Sequence, residues 1–112
     1  DSSYIEDKFE ELRILPLQYA LHQNFPNPFN SSTTIRYQLP VAGKIQLNIY
    51  NILGQKVTTL INKHQPAGHH YKIWNIIRDN FHVASGVYFV HMKVTGDNGT
   101  TFEKTRKMLY VK

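Results

Sequence analysis

The sequence predicts an all-β domain, an antiparallel sandwich of seven strands that follows an N-terminal linker. From residue 18 onward, apolar and polar side chains alternate in short runs, which is the pattern of half-buried strands. Turn-forming residues separate these runs at short, regular intervals, as in a two-sheet, Ig-like β-sandwich. The expected strands are YALHQNF, TTIRYQL, KIQLNIY, KVTTLI, HHYKIWN, VYFVHMKV and TTFEKTRKMLYVK.

Length and composition limit the possible classes of protein. A chain of 112 residues favours one domain, and 41% hydrophobic with 19% charged residues is a globular composition. We place the domain at residues 17–112 and a linker at residues 1–16, where the apolar spacing permits a short helix or an extended tether. The absence of cysteine excludes disulfides and cysteine nucleophiles. The acidic start is unlike a secretory signal peptide, so an exported protein would carry that signal on a larger precursor, or its address lies elsewhere in this chain.

The alternation assigns one face of each strand to the core. We expect a tight turn with positive φ at Gly54, a hairpin at Asn98 and Gly99, and a tight strand entry at Gly86. The irregular run KVTTLI predicts a β-bulge. The expected inward side chains are Ile35, Tyr37, Leu39, Ile45, Leu47, Ile49, Tyr88, Val90, Met92 and Val94.

Charge is unevenly distributed along the chain, whose net charge is +5. Five acidic side chains lie in the first eleven residues, whereas Lys104, Arg106, Lys107 and Lys112 cluster at the other end. A basic strand of this kind indicates binding to nucleic acid, anionic lipid or an acidic protein groove, or else a solvated edge whose lysines discourage aggregation. If a partner reads this strand, it does so by adding a strand to its edge or through an acidic groove.

The stretch FPNPFN is stiff because proline fixes φ and lacks a backbone donor. Since neither Pro26 nor Pro28 can extend a ladder of hydrogen bonds, we expect a rigid elbow that crosses from one sheet edge to the other. Phe25 and Phe29 are expected to anchor this elbow in the core. The elbow, which includes Asn27, either only caps the sandwich or also contacts a partner.

The sequence contains no catalytic or metal-binding pattern. His69 and His70 are adjacent in a predicted strand, so their side chains point to opposite faces and cannot chelate one ion together. Ser85 lacks the sequence context of a nucleophile elbow, and Asp79 lacks the dense oxygen ligands of a calcium loop. We therefore expect no enzyme, no metal site and no cofactor.

Several motifs together resemble a known family. They are ALHQNFPNPFNSSTTIRYQLP, IQLNIYNILGQKVTTL, an AG pair with a tryptophan six residues after its glycine, VASGVYFVHMKV and KMLYVK, in that order. Over about residues 17–112 the chain resembles the type A C-terminal sorting domain of the type IX secretion system, which is found on cargo of Bacteroidetes and related phyla. The Ig-like domain of flagellar hook-capping proteins shares part of this pattern.

The resemblance implies a non-catalytic address label attached behind a cargo domain. It implies transit through the periplasm and recognition by the type IX translocon, with no role for nucleic acid or a small-molecule substrate. A sortase-like surface protease often removes such a label, here within or before residues 1–15, and the cargo is released or joined to a surface lipopolysaccharide. The candidate recognition residues are Lys104, Lys107, Met108, Val111 and Lys112, and the structural motif residues are Pro26, Asn27, Pro28, Phe29, Gly54, Trp74, Gly86 and Tyr88.

Two segments depart from the family pattern. Lys72 stands two residues before Trp74, where the family places an apolar inward residue, so either Lys72 reaches past the sheet edge or the strand is shifted and Ile73 points inward. The loop at residues 75–84 is unusually apolar and either adds to the core or forms a surface patch.

Two other classes of function stay open. One is an interaction or assembly module that sorts nothing, and the other is a carbohydrate-binding module with an exposed aromatic row.

Overall fold

The fold is an antiparallel β-sandwich, seen in a computed structural model that describes residues 15–79 and 82–112. One sheet has three strands in the order β1-β2-β5, and the other has four in the order β4-β3-β6-β7. Every pair of neighbouring strands is antiparallel. The strands are β1 (Ala20–Leu21), β2 (Ser32–Leu39), β3 (Gly43–Asn51), β4 (Lys56–Gln65), β5 (Gly68–Asn75), β6 (Gly86–Gly96) and β7 (Thr101–Tyr110).

The predicted all-β class and the count of seven strands are confirmed, and the described ranges contain no helix long and apolar enough to span a membrane. The first strand is shorter than predicted, because only Ala20 and Leu21 belong to it. Beyond these residues the chain returns to β2 at a single isolated bridge between Phe25 and Thr34. Pro26, which follows, has no N–H to continue the pairing.

The core lies between the sheets, and every side chain predicted to point inward is at most 7% exposed. Trp74 is completely buried, with its ring 5.7 Å from that of Phe29 and 5.8 Å from that of Tyr88. Burying one face of each strand removes apolar surface from water, which is the dominant stabilising term for a fold of this size. The alternation in the sequence therefore reports the sandwich directly.

The predicted β-bulge is confirmed in β4, where the register with β3 shifts twice. Leu47 pairs with Ile61 and Asn48 with Thr59, so Leu60 is an extra residue between them. A bulge changes the direction of the side chains around it, so the two shifts let the apolar Val57 and Leu60 pack against the core, where both are partly buried.

The predicted turns are also confirmed. Gly54 has φ of 79° in the turn between β3 and β4, and Gly99 has φ of 87° in the hairpin between β6 and β7. A side chain at either position would be forced into a left-handed backbone conformation that only glycine adopts readily. Gly86 opens β6 with φ of 148°, as expected for a tight entry.

The two departures from the family pattern now have a physical account. Lys72 pairs with Ile35 and shares its face with the buried Trp74, whereas Ile73 points outward with 37% of its surface exposed. No shift of register has occurred, and Lys72 is accommodated because β5 is an edge strand from which its amine can reach water. In the apolar loop, Ile76 belongs to the core, whereas Ile77 is 73% exposed. The loop therefore both adds to the core and places an apolar side chain on the surface. Phe81 lies outside the described residues.

Two buried phenols predict loss of stability at alkaline pH. Burial raises the pKa of Tyr37 above its ordinary value of 10.0, and burial likewise raises the pKa of Tyr88. A raised pKa means that the fold favours the neutral phenol. This stabilisation is therefore complete below pH 10 and lost as the pH rises through the higher folded values. Thermal melts followed by circular dichroism should show a declining Tm above about pH 10. A flat profile to pH 11, or an unchanged slope in Tyr37→Phe, would contradict this origin.

Candidate functional site: the elbow and strand β7

The segment FPNPFN crosses from one sheet to the other as the sequence predicts. From here on, the elbow means residues 23–29, which add Gln23 and Asn24 to that segment and leave out Asn30. At its start, Phe25 exchanges two backbone hydrogen bonds with Thr34 of the three-stranded sheet, at 3.0 and 2.9 Å. At its end, Phe29 forms a parallel bridge with Tyr110 of the four-stranded sheet. The peptide bonds before Pro26 and Pro28 are both cis. The elbow thus joins the two layers at the side where β1 and β7 form the sheet edges.

The elbow covers the outer edge of β7 with hydrogen bonds. The Phe29 N–H donates to the Leu109 carbonyl at 3.0 Å, and the Val111 N–H donates to the Phe29 carbonyl at 2.9 Å. Two side chains extend this contact, because the Leu109 N–H donates to Asn27 Oδ1 at 2.9 Å and Gln23 Nε2 donates to the Lys107 carbonyl at 2.7 Å. A partner cannot add a strand to β7 at residues 107–111 unless it displaces the elbow.

A small polar network inside the elbow was missed by the sequence analysis. Asn24 and Thr33 are 2% and 1% exposed, and Asn24 Nδ2 donates to Thr33 Oγ1 at 2.9 Å. Both side chains donate to the Pro26 carbonyl, at 3.2 and 2.8 Å. A buried polar side chain without a partner would cost about 1–3 kcal/mol, so the bonds from Asn24 and Thr33 to the Pro26 carbonyl hold the turn in place. The available signal was an asparagine two residues before a proline, a pattern that favours side-chain hydrogen bonds to the backbone of a turn.

The two phenylalanines behave differently, and the prediction that both anchor the elbow is wrong for Phe25. Phe29 is 2% exposed and its ring lies 5.4 Å from that of Tyr110. Phe25 is 71% exposed. It is paired with Thr34, which belongs to the outer-facing residues of β2, so the alternation of the strand turns the Phe25 side chain outward as well.

The structural motif residues fall into two groups. Trp74 and Tyr88 pack with Phe29 beneath the elbow, and the Tyr88 hydroxyl donates to the Ala84 carbonyl at 2.6 Å. Gly86 lies beside them, paired with Tyr110 of β7. Gly54 belongs to the separate turn between β3 and β4, so it shapes that turn and not the elbow.

The candidate recognition residues do not form one surface. Met108 is fully buried, which makes it a core residue that a partner cannot touch in the folded domain. Lys107 and Lys112 are exposed and Val111 is 46% exposed, and the Lys112 N–H donates to Ser85 Oγ at 2.9 Å. Lys104 lies on the opposite face of β7 from Lys107, where it lines a shallow cavity of about 210 Å³ beside β1. Lys107 and Lys112 are therefore the basic side chains that a partner could reach beside the elbow.

The histidines lie in separate environments. His64 pairs with Asp97 at 2.9 Å, and His91 Nδ1 lies 2.7 Å from Thr105 Oγ1. The predicted opposition of His69 and His70 is confirmed, since His70 stacks on the buried Tyr37 while His69 is exposed. Across residues 15–79 and 82–112, no three histidine or acidic side chains are grouped so that they could hold a metal ion.

Replacement of Asn27 tests how firmly the elbow holds β7. We expect Asn27→Ala to remove the acceptor of the Leu109 N–H and to destabilise the domain by about 0.5–1.5 kcal/mol, the net value of one hydrogen bond. Hydrogen exchange measured by NMR should show faster exchange of the Leu109 amide. Asn30→Ala, at an exposed position beside the elbow, serves as the control. Equal exchange in both variants would show that the side chain of Asn27 does not hold the strand.

Comparison with known families now identifies the domain. A family model described as a secretion system C-terminal sorting domain matches residues 23–108. The chain belongs to this family. The match covers the whole elbow and β7 as far as the buried Met108, which includes the hydrogen bond between Gln23 and Lys107. Domains of this family are the C-terminal sorting signals of type IX secretion.

Two solved structures share the fold of the sorting domain. Dimeric latent PorU from Porphyromonas gingivalis is 20% identical with a TM-score of 0.62, and the match covers 83% of this chain and 9% of the PorU chain. CopC from Methylosinus trichosporium OB3b is 15% identical with a TM-score of 0.52, and the match covers 83% of this chain and 93% of CopC. At these identities the likeness concerns the fold alone. No curated protein matches the sorting domain in sequence.

Membership of the family has general consequences. A sorting domain of type IX secretion implies a cargo attached on its N-terminal side, which is exported across the outer membrane to the cell surface or the medium. The family is not catalytic in itself. The function of the sorting domain therefore depends on which of its exposed side chains the secretion system recognises.

Proposed function

We propose that residues 17–112 direct a preceding cargo protein through the type IX translocon, and that residues 1–16 link the two. The observation that carries this proposal is the family match over residues 23–108. In transit the domain is folded in the periplasm. The cargo then reaches the surface or the medium, where a sortase-like protease cuts the linker and the cargo is released or joined to a lipopolysaccharide.

Within the proposal, the translocon reads Lys107 and Lys112 as charged side chains. Their exposure beside an edge that the elbow already covers supports recognition by an acidic groove over recognition by strand addition. Met108 and Val111 then act differently from each other. Met108 holds the strand in the core, while Val111 offers an exposed apolar contact between the two lysines.

A secretion assay tests the proposal. The full chain is fused behind a periplasm-targeted fluorescent protein in a host with type IX secretion, alone and with Lys107→Glu and Lys112→Glu combined. We expect the unchanged fusion at the surface and in the medium, and the double variant, still folded, in the periplasm. Lys44→Glu combined with Lys63→Glu is the matched control, because both lysines are exposed on other strands.

Each outcome of this assay is informative. Export of the charge-reversed and control fusions alike would show that these lysines are not read. Retention of the unchanged fusion, while the host still secretes its own cargo, would overturn sorting and favour an interaction module. The mass of the exported fluorescent protein tests the linker separately, since cutting within residues 1–16 removes the whole sandwich.

A further inference from the structure

A row of four side chains crosses the outer face of the four-stranded sheet. Tyr50 of β3 pairs with Lys56 of β4 on one side and with Phe89 of β6 on the other, and Phe89 pairs with Lys107 of β7. Ile49, before Tyr50, and Val90, after Phe89, are buried in the core. Because adjacent residues of a strand point to opposite faces, Tyr50 and Phe89 lie on the outer face. Two aromatic rings thus stand side by side with one lysine at each end. We call this the Lys–Tyr–Phe–Lys row.

An apolar groove opens over the two rings. It has a volume of about 390 Å³ and is lined by Tyr50, Phe89 and Ile52, with His91 of β6 and Thr105 of β7. Single exposed apolar side chains are common on protein surfaces, but a contiguous set is typical of a binding surface. Ile52 is 72% exposed, and two further large apolar side chains are exposed, Leu53 in the same turn at 78% and Leu109 on β7 at 39%.

The turn that carries Ile52 and Leu53 is held rigidly. Asn51 Oδ1 accepts hydrogen bonds from the N–H groups of Leu53 at 2.9 Å and Gln55 at 3.0 Å, and Asn51 Nδ2 donates to Gln55 Oε1 at 2.9 Å. Two backbone bonds close the same turn, from Gly54 N–H to the Asn51 carbonyl and from Asn51 N–H to the Gln55 carbonyl. These bonds fix the turn that presents the two large apolar side chains to water. A rigid apolar surface binds with a smaller entropic cost than a flexible one.

The charge around the groove is mainly positive. Residues 15–79 and 82–112 contain eleven lysines and arginines against three acidic residues. Asp79 and Asp97 lie in the turn after β5 and in the hairpin between β6 and β7. Glu103 lies opposite Lys93 in the strand register, four residues along β7 from Lys107, and its Oε1 lies 3.5 Å from Nε2 of the groove residue His91. The row itself contains no acidic side chain, so its two lysines are available to a negatively charged partner.

We propose that the Lys–Tyr–Phe–Lys row docks an extended segment of a partner protein that carries an apolar side chain between two acidic ones. The apolar side chain lies over Tyr50 and Phe89, and the carboxylates meet Lys56 and Lys107. Three gaps between strands of about 4.8 Å separate the lysine positions by about 14 Å, the length of about four extended residues. The two acidic residues therefore stand about four positions apart. This surface shares Lys107 with the proposed translocon contact, whereas its apolar part, formed by Tyr50, Ile52 and Phe89, is separate from the terminal lysines.

A peptide titration on the full chain tests the docking surface. The probe is Ser-Asp-Ser-Phe-Ser-Glu-Ser, added to ¹⁵N-labelled protein and followed by NMR. We expect saturable shifts confined to the row and the turn at residues 51–55, and weaker binding at high salt, because exposed charge pairs are screened. A peptide with lysines in place of its acidic residues should bind at least tenfold more weakly.

Variants separate charge from apolar contact. Lys56→Glu with Lys107→Glu should weaken probe binding about tenfold, the effect of two reversed exposed pairs of about 0.7 kcal/mol each, whereas Lys44→Glu with Lys63→Glu should not. Ile52→Ser with Leu53→Ser should weaken binding while leaving β7 and secretion unchanged. This last pair distinguishes failure of the docking surface from failure of sorting.

Three results would overturn the proposal. One is shifts scattered over the sandwich, and another is equal binding of the acidic and basic peptides. The third is self-association of the full chain in sedimentation that Lys56→Glu with Lys107→Glu abolishes and that the probe competes with. In that case the occupant is a second copy of this chain and not a separate partner.

Discussion

Deletion of residues 107–112 should unfold the sandwich and not merely remove an address. The deletion takes away Met108, which is fully buried, and Tyr110, which is 5% exposed, and it leaves Phe29 without its partner strand. Large core truncations cost about 2–5 kcal/mol each, so the sum approaches the whole stability of a typical small domain, about 5–15 kcal/mol. We expect circular dichroism to show no cooperative thermal transition.

The charge-reversed chain, with Lys107→Glu and Lys112→Glu, is the matched control because it keeps both core side chains. It should melt within a few degrees of the unchanged protein, as exposed substitutions change stability little. A cooperative melt of the deleted chain would contradict the prediction and show that β7 is dispensable for folding. If the deletion unfolds the domain, loss of secretion cannot be assigned to loss of a recognition signal. Point substitutions that leave the domain folded therefore test recognition more directly.

Replacement of Trp74 by alanine is expected to have the largest effect of any single core substitution. Trp74 is 0% exposed and contacts Phe29 under the elbow and Tyr88 of β6, so its loss opens a cavity between both sheets and the elbow. We expect a loss of about 3–5 kcal/mol. The corresponding fall in Tm is about 15 °C or more for a domain of this size.

Tyr71→Ala is the control for Trp74→Ala, because Tyr71 lies on the same strand and is 67% exposed. Its effect should stay within about 0.5 kcal/mol. Denaturant titrations of both variants measure the difference directly. Similar midpoints for the two variants would mean that the core under the elbow collapses around the missing ring, contrary to the close packing described above.

Most of the fold could be predicted from the sequence because burial on one face leaves a period of two. That signal is local, so β2, β3 and β6 were assigned with their correct faces. The crossing of the elbow was also predictable, since a proline cannot extend a strand ladder. Turn positions such as Gly54 followed from the conformational freedom of glycine.

The remainder depends on contacts between residues far apart in sequence. The outward direction of Phe25 is set by its pairing with Thr34, and the tolerance of Lys72 is set by the edge position of β5. The cover that the elbow places over β7 joins residues more than eighty positions apart, through Asn27 and Leu109. The Lys–Tyr–Phe–Lys row likewise requires the register of four strands. No local pattern reports any of these features.

The contact between the elbow and β7 also fixes when the domain can be completed during synthesis. The elbow leaves the ribosome early, but the strand that it must cover is the last of the seven to be made. Until then Phe29 has no partner edge and Trp74 lacks part of its surroundings. Non-local pairings of this kind form slowly. The sandwich therefore cannot be completed until β7 has been made.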